Sequence, residues 1–505
     1  MYMSTLFSIM EHGAVPDGHT INTTAIQSAI DAAHAAGGGR VLVPAGVFLT
    51  GSVFLKSRVV LDLSAGATLL GSPNLEDYTF VSWGHHQDRT PWHLINAQGQ
   101  DNIAIIGYGE IRGNGPAFWK PGRPHEFAFW EEAGEGKRPS PMVEISDCRD
   151  VRIENVTIGD AAGWTLHLHD TDRAVITGVR IDSDLFGPNS DGIDLTGARD
   201  ITISNCIIKA GDDAIALKTT IDSRSCEYVT VTNCVLETNC CAIRIGHESA
   251  QDFRHCTFSN CVVKRSSRII DMVNKLGCTM EHISFSNISG TTNCGWPVNR
   301  AIQIQVTPIE GHYERNLFPA HPRYGKTTIP SAPGIVRHIS FSDMDILTDG
   351  RILIGGQPDT TIHDLRFRNI ALRYPMIDNP NPLAEEGNHS FFPGQVLRSM
   401  RTAEAAFVAQ NVSDLNVDGF RVEWPQGPVP KNWRLLDSDH RFLNAEWYQN
   451  RDAAIRSRER EPAFGVFWAK DVKGGTVTLM NSSGSQKEIE TVSLEDCELT
   501  IRNPS

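Results

Sequence analysis

The segments ITISNCII (Ile201–Ile208) and VTVTNCVL (Val229–Leu236) decide the fold, because their eight-residue pattern returns along much of the chain. VRIENVTI begins at Val151, AVITGVRI at Ala174, CTFSNCVV at Cys256 and ISFSNISG at Ile283. Successive starts, from Val151 on, lie 23, 27, 28, 27 and 27 residues apart. ISFSDMDI from Ile339 and LRFRNIAL from Leu365 continue the series after one long interruption. Apolar and polar residues alternate within each unit, a period of two that describes strands; a helix would repeat about every 3.6 residues. A repeat of this length, with several short strands in it, describes the coil of a parallel β-helix. One coil cannot bury its own inward face, so the coils stack and their inward residues make a continuous core. Asn155, Asn205, Asn233, Asn260, Asn287 and Asn369 fall in one column, where stacked side chains can hydrogen-bond from coil to coil. Cys206, Cys234 and Cys261 fall in the next and read as core filling.

Upstream of the repeats, GAVPDG (Gly13–Gly18) forms a turn and a helix follows it. Asn22 or Thr23 can cap that helix, and Ala25, Ile26, Ala29, Ile30 and Ala33 share one face. It stops at Gly37-Gly38-Gly39 and is placed to cover the open end of the core. Three stretches interrupt the repeat: Asp77 to Glu135, rich in aromatics and histidines, Thr292 to Ser331, and Arg373 to Gly394. Long excursions from a solenoid gather on one side and shape a binding surface. After Pro425 the pattern weakens, with a polar helix expected over Glu446 to Arg460 and short strands closing the chain. The expected organisation is one all-β solenoid domain over 1–505: a cap over 1–40, coils over 41–425, and last coils with a C-terminal cap over 426–505.

Hydrophobic residues make up 40% of the 505 and charged residues 21%, values of a globular chain. The net charge of −14 argues against nucleic-acid and anionic-membrane partners, which select basic surfaces. The first residues carry no basic, apolar leader, and no apolar run reaches membrane-spanning length. Eleven cysteines, mostly inside strand-like runs, suit buried reduced thiols better than a disulfide framework. The expected compartment is therefore cytoplasmic.

The chemistry is expected where acids cluster at neighbouring turns: Asp191 in NSDG and Asp212-Asp213 in GDD, with Asp194 inside an apolar run nearby. Residues about one repeat apart lie above one another in stacked coils, so Asp191, Asp212 and Asp213 converge on one face. Like charges held close raise each other's pKa, which keeps one carboxyl as an acid while another works as a base. Carboxyls facing a groove walled by aromatic loops suggest acid/base hydrolysis of a glycan.

NSDGIDL followed by GDDAIALK resembles the paired signature of family 28 glycoside hydrolases, the polygalacturonases and rhamnogalacturonases. GAVPDG, AIQSAIDAA and GGGRVLVPAG resemble the opening of pectin-active β-helix proteins, and the resemblance spans roughly Phe7 to Val422. It implies a right-handed parallel β-helix and an inverting hydrolase. Asp212 corresponds to the general acid, and Asp191 and Asp213 to the carboxylates that activate water, with acid and base about 6.5–9.5 Å apart. The chain departs from the family where Gly-His-Gly is replaced by Cys240-Cys241-Ala242 and Arg-Ile-Lys by Arg268-Ile269-Ile270. No tyrosine is evident near Gln303 to Thr307 either. The Cys241-Ala242 pair resembles the rhamnogalacturonan-cleaving branch, and the departures together speak against plain polygalacturonate while leaving the hydrolytic acids intact.

Candidate substrate-binding residues are Arg268, Lys218, His247, Arg244, Trp164 and His167. Arg244 lies between Ile243 and Ile245 and should point out of the core, toward solvent or the groove; Lys218 could instead pair with the adjacent acids. No metal and no cofactor are called for, and the expected partner is an oligosaccharide or polysaccharide cut by exo-type action. Three alternatives stay open: a Ca²⁺-dependent polysaccharide lyase, a non-catalytic carbohydrate-binding β-helix, and a hydrolase of a neutral or mixed glycan.

Overall fold

The computed structural model describes residues 6–82, 89–119, 137–292, 300–306, 333–348, 350–358, 361–374, 400, 403, 405–424, 465–480 and 492–502. The chain divides into two compact units, Met1–Thr238 and Asn239–Ser505. Each is built from parallel strands stacked coil on coil.

In the first unit, strands fall into three columns. One stacks Val59–Leu63, Asp101–Gly107, Arg149–Glu154, Asp172–Thr177, Arg199–Ser204 and Cys226–Thr232, each parallel to the next. The second runs from Gly46–Thr50 through Ala67–Gly71, Glu110–Arg112, Thr157–Gly159, Arg180–Asp182 and Ile207–Ala210 to Val235–Thr238. The third stacks Val53–Phe54, Ile95–Gln98, Val143–Ser146, Leu166–His169, Ile193–Thr196 and Ile215–Thr219. The described part of the first interruption is therefore largely a regular coil, with strands at Ile95–Gln98, Asp101–Gly107 and Glu110–Arg112. Ala104 and Ile106, in register with Arg152 and Glu154 of the next coil, replace polar residues with apolar ones and hide the period of two. The remainder of that stretch lies outside the described residues, as do most of the second and third interruptions and the expected helix over Glu446 to Arg460.

The columns of the repeat have a backbone cause. Asn155, Asn205 and Asn233 have φ of 63°, 56° and 56°, and Gly178 takes the same place with φ of 65°. The coil turns sharply at this corner through the left-handed region, which asparagine and glycine tolerate best. The thiols of Cys206 and Cys234 each donate to the carbonyl of the residue two before them, both at 3.3 Å, and are buried.

The N-terminal helix spans Thr23–Ala35 and buries Ile26, Ala29, Ile30 and Ala33. Asn22 precedes it but does not cap it; its amide is used by Val15, Thr20 and Leu49 instead. Gln27 takes the place of the missing coil. Its amide donates to Phe54 O at 3.1 Å and its oxygen accepts from Phe54 N at 2.8 Å. Among the described residues no helix is long and apolar enough to cross a membrane.

The second unit repeats the plan with longer strands. Phe253–Arg265, Thr279–Thr292, Ile335–Thr348, Ile362–Arg373, Ala405–Glu423 and Gly465–Leu479 stack in parallel. Glu498–Arg502 adds to the last of these. Asn260, Asn287 and Asn369 again have positive φ, and Asn287 donates to Asn260 at 2.8 Å. Inside, Phe258, Phe285, Phe341 and Phe367 form a ladder with ring centroids 5.0, 5.0 and 4.6 Å apart.

Candidate active site

The acidic cluster belongs to the first unit and is built by register. Leu166 pairs with Ile193, and Ile193 with Ile215. The same stacking carries back along the chain: Thr165 N donates to Asp191 O at 2.9 Å, and Gly192 N donates to Asp213 O at 2.8 Å. Trp164, Asp191 and Asp213 thus occupy one column on three successive coils. The glycines of NSDG and GDD permit this approach. A Cβ on Gly192 would lie 2.4 Å from Ala214 O, and one on Gly211 would lie 2.4 Å from Ser190 Oγ and 2.7 Å from two backbone oxygens. Ser190 ties the two turns together, accepting from Gly211 N at its hydroxyl and at its carbonyl, both at 3.1 Å.

One carboxylate oxygen from each of Asp191, Asp212 and Asp213 lies within 4.8 Å of the other two. Asp191 and Asp213 are in register on adjoining coils, whose strands stand about 4.8 Å apart, and Asp212 is the chain neighbour of Asp213. The cluster is also recessed, with 2%, 6% and 3% of the three residues exposed, Asp212 being the most accessible.

Lys218 completes the cluster. Its ammonium lies 3.7 Å from Asp191 Oδ2 and 3.6 Å from Asp194 Oδ1, and sits 4.5 Å above the Trp164 ring. Burial pushes the Asp191 carboxyl well above its ordinary range, with Asp194, Asp212 and Asp213 adding to the shift and Lys218 opposing it. Among the described residues Asp191 Oδ1 is buried without a hydrogen-bond partner.

Behind the cluster runs a second charged group, in which sequence reasoning named His167 and Asp194 but missed Glu144 and Arg89. Glu144, His167 and Asp194 are register neighbours on three coils, all buried. His167 is turned into this group: Nδ1 donates to Glu144 Oε2 at 2.7 Å, and Nε2 is 2.8 Å from Thr196 Oγ1. Arg89 pairs with the other oxygen of Glu144 and donates to Ser146 Oγ at 2.9 Å. Burial alone would raise the Glu144 carboxyl, but Arg89 and His167 outweigh it and hold the group well below its usual range. The signal was present in VEIS and LHLH, whose polar members alternate with core residues on strands one coil apart.

The remaining candidates lie in the second unit. Arg244 is buried rather than turned to solvent, and its Nη1 pairs with Asp271 Oδ2 at 2.7 Å. Arg268 Nε lies 3.6 Å from the same oxygen, and Gln303 donates to Asp271 Oδ1 at 2.9 Å. Cys240 and Cys241 face the guanidiniums, each sulfur 3.5 Å from its arginine. His247 Nδ1 accepts from Lys275 Nζ at 2.9 Å.

Comparison with known proteins gives this geometry its context. The profile of glycosyl hydrolases family 28 matches residues 36–293. A probable polygalacturonase of Vitis vinifera is 30% identical over 44% of this chain and 46% of its own length. An exo-poly-alpha-D-galacturonosidase of Dickeya chrysanthemi is 31% identical over 42% and 41%. The chain thus spans under half the length of these curated relatives. Among solved structures, a hyperthermoactive exopolygalacturonase from Thermotoga maritima superposes with a TM-score of 0.60 at 22% identity, covering 74% of this chain and 88% of that one. A family 28 exopolygalacturonase from Yersinia enterocolitica gives 0.59 at 16% identity, covering 99% and 78%. These neighbours share the pectinase right-handed β-helix. With half of its length matched by the family profile and its strands stacked as parallel coils, the chain belongs to glycosyl hydrolases family 28.

Proposed function

We propose that this protein is a glycoside hydrolase acting on a pectic oligosaccharide. The observation that carries the reading is the convergence of Asp191, Asp212 and Asp213 within 4.8 Å, beside the Trp164 ring. In this reading Asp212, the most exposed of the three, donates its proton to the leaving glycosidic oxygen. Asp191 and Asp213 accept from the water that attacks the anomeric carbon. The glycosidic C–O bond breaks, the water oxygen bonds to carbon, and the water's proton passes to the carboxylate pair. Oxygens this close can both contact one water, since each hydrogen bond spans about 2.7 Å.

Exo-action is supported by the likeness to the Dickeya exo-poly-alpha-D-galacturonosidase. The substrate carries uronic acid in this reading.

Two measurements test the proposal. Screening pectic oligosaccharides of defined length should yield saturated products shortened from one end. An ultraviolet-absorbing unsaturated product would instead reveal a lyase, and release of mid-chain fragments would exclude exo-action. Proton NMR of the first product should show the inverted anomer. Retention would make one aspartate a nucleophile, the outcome associated with carboxyls about 5 Å apart.

A further inference from the structure

Lys218 is recessed, only 6% of its side chain being exposed, and it faces two carboxylates rather than one. Asp191 and Asp194 lie at nearly equal distances from its ammonium, 3.7 and 3.6 Å, while Trp164 closes a third side. An ammonium held this way is directed at protein rather than at solvent. Asp194 is wholly buried and is not among the three acids of the proposed chemistry. A buried carboxylate is costly unless it does something for its neighbours.

We propose that Lys218 and Asp194 are a positioning pair for Asp191: the ammonium keeps Asp191 ionised, and Asp194 draws part of that charge away. Lys218 on this account does not bind substrate. The inference rests on the hydrolase reading above and deepens it. It assigns the pair an opposed influence on the group that must be ionised to accept a proton from water.

The groups facing Asp191 in the first unit are few. Asp212 and Asp213 come from the following coil and Asp194 from its own. Trp164 and His167 come from the preceding coil. Behind His167 stand Glu144 and Arg89, which pair with each other. Arg138 is committed to Ala162 O, Pro188 O and Asn189 Oδ1 at 3.0, 2.9 and 3.1 Å. Every neighbouring carboxylate resists ionisation of Asp191, and burial does so too; Lys218 is the cation that contacts it. Removing an opposite charge at this range moves a carboxyl by roughly one to three pH units.

The test compares the full-length parent with Lys218→Met, Lys218→Arg and Asp194→Asn, using tetragalacturonate as the probe. K218M keeps the packing on Trp164 and removes the charge. Its acid limb of kcat/KM should move up by roughly one pH unit or more, with KM unchanged. D194N should move the limb the opposite way, and K218R should return it to the parent position. A structural role would lower activity at every pH and would not give shifts of opposite sign. Titration of the aspartate carboxyls by carbon-13 NMR on the same variants reads the pair without turnover. If the parent cuts no glycan, the hydrolase reading fails while this titration still decides the pair. A limb and an Asp191 titration that stay in place in both K218M and D194N overturn the inference. So does a raised KM in K218M with the limb fixed, which would make Lys218 a substrate ligand.

Discussion

At the scale of the residue, a carboxylate removed from water needs a counter-charge, and Glu144 finds one in Arg89 and a second partner in His167. His93, in the same region, is held differently. Its Nδ1 donates to Pro141 O at 2.7 Å, and burial pulls its pKa from 6.5 down to about 4. The folded chain therefore binds fewer protons than the unfolded chain between those values, and stability rises with pH across that window. Acidifying from pH 6.5 to 4 should cost about 3 kcal/mol through this one group. His93→Asn, which can keep the bond to Pro141, should flatten that part of the stability profile; an unchanged slope in denaturant titrations would assign the effect elsewhere. Asn287 offers a second check, because its φ of 51° is penalised for most side chains. Asn287→Ala should lower stability by about 1–2 kcal/mol, and Asn287→Gly by less. Thermal melts of the two variants with the opposite ranking would contradict the backbone explanation. The sequence showed the asparagine column but suggested a hydrogen-bonded ladder as its cause. The left-handed corner is the deeper reason, since Gly178 serves there with no side chain to share.

Strands and ladders obey a simpler arithmetic. Stacked coils repeat their side chains at one inter-strand spacing, and the Phe258–Phe367 ladder shows it in the second unit. Phe285 lies in the middle of that ladder and is buried. Phe285→Ala removes a ring that its neighbours cannot replace without moving their own coils, so it should destabilise by about 3–5 kcal/mol. A melting curve close to the parent's would mean that the ladder relaxes. The period of two and the repeat near 27 residues made this architecture legible before any coordinates, because solenoid packing is written locally in every coil. The coil at Ile95–Arg112 was not legible: the positions in register with Arg152 and Glu154 of the next coil are the apolar Ala104 and Ile106, which breaks the alternation. The carboxylate trio was legible from turn chemistry and register. Its companions were legible only in part: Asp194 and His167 stood out beside the trio, whereas Glu144 sits in a run whose alternation predicts an outward face and implies no partner.

Viewed as a whole molecule, the chain is a family 28 member whose first unit holds the complete acidic cluster. The counter-charge at that cluster comes from the chain itself, through Lys218. Chelation by EDTA should therefore leave turnover unchanged, and loss of activity restored by Ca²⁺ would favour a lyase. Because Asp191 is pushed upward, the acid limb of the rate profile should lie above 3.8, the ordinary aspartate value. The most direct measurement is the rate of reducing-end release from oligogalacturonates by the parent and by Asp191→Asn, Asp212→Asn and Asp213→Asn, each checked for an unchanged melting temperature. The account predicts saturated products from the parent and losses of at least about 100-fold in all three variants. A folded Asp212→Asn that cleaves at the parent's rate would contradict it.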